Sequence, residues 1–121
     1  MVIGRYVTLD PRDNSVEFSK KLLRTLRSYV KKDLRVVAFK VKDSEDYGFI
    51  VSPEGMGIDE SVQYPTIQYN DKTGKYGFDC FNPSVNQMLY SWGLPFDKVV
   101  RCKVRVRVTS GKAIFVIKKP A

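Results

Sequence analysis

The chain has 121 residues, 43% hydrophobic and 28% charged, with 21 basic against 13 acidic side chains and a net charge of +8. That is the length of a single domain, residues 1–121, able to bury roughly two-thirds of its unfolded surface, and no apolar run approaches the roughly 20 residues of a membrane helix. Histidine is absent and there are two cysteines, which excludes Ser-His-Asp and Cys-His catalysis within one chain and removes the commonest transition-metal ligand.

In chain order, Val2 to Leu9 is predicted as a strand with Val2, Gly4, Tyr6 and Thr8 on one side and Ile3, Arg5, Val7 and Leu9 on the other. The first six residues lack the charged start and long apolar middle of a secretory signal, so a cytoplasmic protein is expected. Asp10-Pro11-Arg12-Asp13-Asn14 reads as a turn. A helix is predicted from Asn14 or Ser15 to about Lys32, with Ser15 as N-cap and Glu17 in its first turn. Phe18, Leu22, Leu26 and Tyr29, joined by Leu23 and Val30, recur at helical steps and form its apolar stripe. Lys20, Arg24, Arg27 and Lys31 recur at the same steps on another face, a cationic stripe.

Leu34 to Lys42 reads as a strand that turns at Asp43-Ser44-Glu45-Asp46 into a second, Tyr47 to Val51. Ser52 to Pro65 has no sustained period and is predicted as a long loop of the kind that often carries function. Thr66 to Asn70 and Lys75 to Phe81 flank the tight turn Asp71-Lys72-Thr73-Gly74 as a further hairpin. Tyr69 and Tyr76 in this hairpin are read as core packing, or as base-stacking residues where they lie beside a basic surface. Asn82 to Gly93 is predicted as a short helix, with Asn82 as N-cap, Pro83 at its first position, Gly93 ending it, and Val85, Met88, Leu89 and Trp92 buried.

The clearest pattern is at the end. Apolar and basic residues alternate from Val100 to Val108, which places Arg101, Lys103, Arg105 and Arg107 on one face of a strand and the valines on the other. If Ser110-Gly111 is a two-residue turn, Thr109 pairs with Lys112, Arg107 with Ile114, Arg105 with Val116 and Lys103 with Lys118, so Lys112 and Lys118 join the cationic face. Charge is unevenly spread: residues 15–35 carry seven bases and two acids, 36–97 four bases and nine acids, and 98–121 eight bases and no acids. Such a bipolar layout suits an oriented, negatively charged partner.

The element order predicts an α+β fold, a mainly antiparallel curved sheet of about seven strands with two helices in the order β-α-ββ-ββ-α-ββ. Cys80 and Cys102 alternate with apolar residues and read as small buried hydrophobes kept reduced. They form no CxxC pair, so no metal site or cofactor is expected. Asp59, Glu60 and Asp79 are the acid-base candidates, at no spacing that specifies chemistry. The function expected is a non-enzymatic nucleic-acid-binding domain, contacting DNA or RNA mainly at phosphate through Arg101, Lys103, Arg105, Arg107, Lys112 and Lys118, with Lys20, Arg24, Arg27 and Lys31 from the helix. The alternative is an interaction module that docks an acidic protein or self-associates as a homo-oligomer, away from any membrane.

Overall fold

The computed structural model describes residues 5–26, 34–52, 64–80, 84–109 and 112–120. They form strands β1 (Tyr6–Asp10), β2 (Ser15–Phe18), β3 (Arg35–Lys40), β4 (Tyr47–Ser52), β5 (Gln68–Asn70), β6 (Lys75–Asp79), β7 (Val100–Thr109) and β8 (Lys112–Ile117), with helices α1 (Lys20–Leu26) and α2 (Val85–Trp92). The strands make one curved antiparallel sheet in the order β3-β4-β8-β7-β1-β2-β6-β5.

Strand β7 holds the two halves of this sheet together. Its first half pairs with β1, Leu9 opposite Val100 and Tyr6 opposite Lys103. Its second half pairs with β8, Val104 opposite Ile117 through Thr109 opposite Lys112. This is the register predicted for a two-residue connection, and Lys118 continues it by donating its backbone N–H to the Lys103 carbonyl at 2.9 Å. Residues 110 and 111 themselves lie outside the described residues.

Alternation along these strands sends Val7, Leu9, Val16, Phe18, Phe49, Phe78, Cys102, Val104, Phe115 and Ile117 to one side, where all are buried. Four rings form the centre of this core: Phe18 and Phe115 lie 5.3 Å apart, Phe49 and Phe78 5.1 Å, and Phe49 and Phe115 5.7 Å. The two edge-to-face pairs and the stacked Phe49–Phe115 pair add modestly to the apolar burial that dominates. Helix α2 covers this side with Val85, Met88, Leu89 and Trp92, while the Tyr47 hydroxyl meets Ser91 Oγ at 2.8 Å and Trp92 Nε1 donates to the Glu45 carbonyl at 2.6 Å. Cys80 and Cys102 are not joined in a disulfide and both are buried, and burial pushes each thiol up to about 12.

The beginning of the chain departs from the sequence expectation. Residues 15–18 are a strand, not the first turn of a helix, and the sheet therefore has eight strands instead of seven in the order ββ-α-ββ-ββ-α-ββ. Ser15-Val16-Glu17-Phe18 alternates in burial, and Val16 and Phe18 sit opposite Leu9 and Val7. The helix starts at Lys20, capped by Ser19, whose hydroxyl accepts the Leu22 N–H at 3.2 Å. Its N-cap is thus four residues later than Ser15, because pairing with β1 and β6 outweighs helical propensity over this stretch. In α2 the N-cap is Ser84 instead of Asn82: its hydroxyl accepts the Gln87 N–H at 3.1 Å and Gln87 Oε1 accepts the Ser84 N–H at 2.7 Å. Asn82, Pro83 and the predicted loop residues 53–63 lie outside the described residues, as does any helix beyond Leu26.

Two connections fix the ends of the sheet. The edge strands β3 and β5 are tied where the Val36 N–H donates to the Pro65 carbonyl and the Ile67 N–H to the Leu34 carbonyl, both at 2.9 Å. Asn14, in the left-handed region at φ 55°, fastens the β1–β2 turn to the other helix. Its side-chain carbonyl accepts the Val85 N–H at 2.7 Å and its amide donates to the Cys80 carbonyl. Asn14→Ala removes both bonds and places a Cβ-bearing residue without a compensating side chain in that conformation. A loss of about 3 kcal/mol is expected, against about 2 for Asn14→Gly, which relieves the backbone but not the lost bonds. Urea unfolding midpoints at constant m-value measure the difference.

Candidate nucleic-acid interface

The side of the sheet away from the core is a patterned surface. Arg101, Lys103, Arg105 and Arg107 are all exposed there, at steps of about 6.7 Å along one strand, a row about 20 Å long. The strand partners are neutral, Thr8 for Arg101, Tyr6 for Lys103, Val116 for Arg105 and Ile114 for Arg107, while just past the end of β8 Lys118 also comes opposite Lys103. None of the four cations makes an ion pair with a described residue. At these steps each neighbouring pair repels by about 0.6 kcal/mol in water before salt screens it.

The nearby acids are matched elsewhere. Asp10 bonds Arg12 at 3.2 Å, and that guanidinium holds its carboxyl below the ordinary carboxylate range. Glu17 meets Lys75 at 3.8 Å and accepts from the Thr73 hydroxyl at 3.2 Å, while Glu45 binds Lys119 at 2.9 Å. Asp46 takes Lys118 at 3.4 Å and the Lys119 backbone N–H at 3.0 Å.

Across the middle of β8, β4 and β3 the same outer face is apolar. Arg105, Val116, Gly48 and Phe39 stand in one cross-strand row, and Arg107, Ile114, Ile50 and Val37 in the next. Phe39 lies over Gly48 so closely that a Cβ there would come within 2.1 Å of its Cζ, so glycine is what allows the ring to settle across the neighbouring strand. On β1, β2, β5 and β6 the face is instead an open depression of about 700 Å³ whose lining includes Thr8, Asp10, Glu17, Asn70, Lys75 and Asp79. Among the described residues, no three His, Cys, Asp or Glu side chains are grouped to hold a metal ion.

The structure brings together only some of the residues that the sequence singled out. Arg101, Lys103, Arg105 and Arg107 form one row, and Lys118 stands opposite Lys103 but is engaged by Asp46. Lys112 stands opposite Thr109 at the start of β8. Lys20 and Arg24 are exposed on α1, whose Leu22 enters the core, so the sheet does not bring them into the row. Arg27, Lys31, Asp59 and Glu60 lie outside the described residues.

Tyr69 and Tyr76 pair with each other at 5.0 Å between ring centroids, on the face that Phe78 and Ile67 share with the core. They are therefore not beside the cationic row. The aromatic residue that is beside it, Tyr6, carries no local sequence signal, because its neighbour Lys103 is 97 positions away and only the β1–β7 pairing joins them. The carboxylate-lined depression was equally hidden by reading Glu17 as helical.

No protein-family model, curated protein or solved structure matches this chain. Among the described residues no helix is long and apolar enough to cross a membrane.

Asp46 gives this region a pH dependence. Burial pushes its carboxyl up, but the Lys119 N–H, the Lys118 ammonium and the Ser44 hydroxyl together outweigh burial and leave it below the ordinary 3.8. A group depressed on folding stabilises fully above its unfolded value, and that contribution is lost as pH falls through the folded one. Between about pH 5 and about pH 2 the urea midpoint of the native chain is expected to fall further than that of Asp46→Asn. Equal falls would mean that the carboxylate adds nothing to the fold.

Proposed function

We propose that the protein is a non-enzymatic nucleic-acid-binding domain that holds a phosphate backbone along the outer face of β7. The reading is carried by one observation: four exposed cations stand in line on a single strand with no carboxylate partner among the described residues. Three of them are arginines, whose planar forks match phosphate oxygens in pairs. A surface needed only for solubility would interleave acids, because an unbroken row repels itself. Phosphate contacts carry little base information, so binding with little sequence preference follows.

Binding is expected to weaken linearly with the logarithm of salt concentration. Arg105→Ala combined with Arg107→Ala removes two contacts and should flatten that slope by about 1.4 on single strands, or by about 1.8 on duplex DNA. Fluorescence anisotropy of labelled oligonucleotides across a salt series measures both. No detectable binding to mixed DNA and RNA at low salt overturns the reading.

The depression beside the row favours a second reading. Its Asp10, Glu17 and Asp79 share a face with the cations, so the surface of one copy complements that of another, or the row alone complements an acidic protein. Light scattering without nucleic acid distinguishes them: a mass above one chain that falls as salt rises supports self-association, and the mass of one chain throughout excludes it.

A further inference from the structure

Resting on the nucleic-acid reading, we infer that the ligand is single-stranded and that Tyr6 stacks on one of its unpaired bases. Tyr6 is half-buried on the outer face of β1, directly opposite Lys103 in the middle of the cationic row. Residues directly opposite in an antiparallel pair have Cβ atoms about 5 Å apart, so a phosphate held at Lys103 brings its own nucleotide over the ring. The ring has no aromatic partner among the described residues, and its hydroxyl makes no hydrogen bond to any of them. Tyr69 and Tyr76, by contrast, already pack against each other on the face of their strands turned to the core side, with ring planes tilted by 57°.

The flanks of the row decide between one strand and two. A duplex laid along β7 would bring its second backbone over one flank. Toward β1 and β2 that flank carries Asp10 and Glu17, which repel phosphate. Toward β8 and β4 its middle carries half-buried Val116, Ile114 and Ile50, which offer phosphate no charge, and Lys118 at its end is engaged by Asp46. A single strand has no second backbone to place, and its exposed base faces gain from apolar and aromatic surface. Phe39, three strand spacings or about 14 Å from Arg105 along the cross-strand row, extends that surface on the far side.

The test is anisotropy with a labelled mixed-sequence single strand and with the matching duplex, on the full chain and on Tyr6→Leu, Tyr6→Phe and the Arg105→Ala/Arg107→Ala pair. The single strand is expected to bind at least about tenfold tighter than the duplex. Tyr6→Leu should lose roughly five- to hundredfold in single-strand affinity with its salt slope unchanged, while Tyr6→Phe, which keeps the ring, stays within about twofold. Circular dichroism and the urea midpoint confirm that each variant is folded. Equal affinity of Tyr6→Leu and the native chain, or a duplex bound as tightly as the single strand, overturns this inference. If the arginine pair still flattens the slope in that case, the phosphate reading survives. Absence of oligonucleotide binding by the native chain overturns both.

Discussion

Everything in this structure depends on the double pairing of β7. A ten-residue strand gives its first half to β1 and its second to β8, so a single alternation sets the side to which eight strands turn their apolar residues. Cys102 and Val104 go inward and Arg101, Lys103, Arg105 and Arg107 outward, and neither assignment can change without the other. The energies are unequal. A fully buried Val, Leu, Ile or Phe side chain contributes about 1.5–3 kcal/mol, against about 0.6 kcal/mol of repulsion for each neighbouring pair of cations. Core burial therefore holds four like charges in line on a strand that would not keep them there by itself.

The acids that could neutralise this row are held by other partners. Asp10 by Arg12, Glu17 by Lys75, Asp46 by Lys118 and Glu45 by Lys119 are pairs at or near turns and strand ends, the first local and the others between distant parts of the chain. Exposed pairs of this kind add little stability, typically 0–1 kcal/mol each. Their larger effect is on the distribution of charge, because each carboxylate is engaged by a cation other than the four of β7. The outer face is left with a cationic line between a carboxylate-lined depression and an apolar slope.

The β7–β8 register was legible in the sequence because strict alternation of valine with arginine and lysine admits only one inward face. The acidic turn before Tyr47 and the glycine at the end of α2 were legible for the same kind of reason, since few residues satisfy those local conformations. The start of α1 was not. Phe18, Leu22 and Leu26 have helical spacing, but Phe18 belongs to β2 and packs against Phe78 and Phe115. The decisive signal was Asn14, whose left-handed conformation closes a hairpin, although the turn could be read from the sequence and that conformation could not. Tyr6 lay beyond local reading altogether, because what makes it notable is a neighbour nearly the whole chain away.

That separation has a consequence for how the protein is made. Translation delivers β1 well before β7, and Tyr6 waits for Lys103 across 97 positions. Contacts this distant in sequence incur their loop-closure entropy before they return any stabilisation, and they slow the search for the native state. A nascent chain on the ribosome therefore carries β1 without its β7 neighbour until about residue 103 has emerged. Nascent chains that end before β7 lack the surface altogether, so it assembles only once that strand has been made.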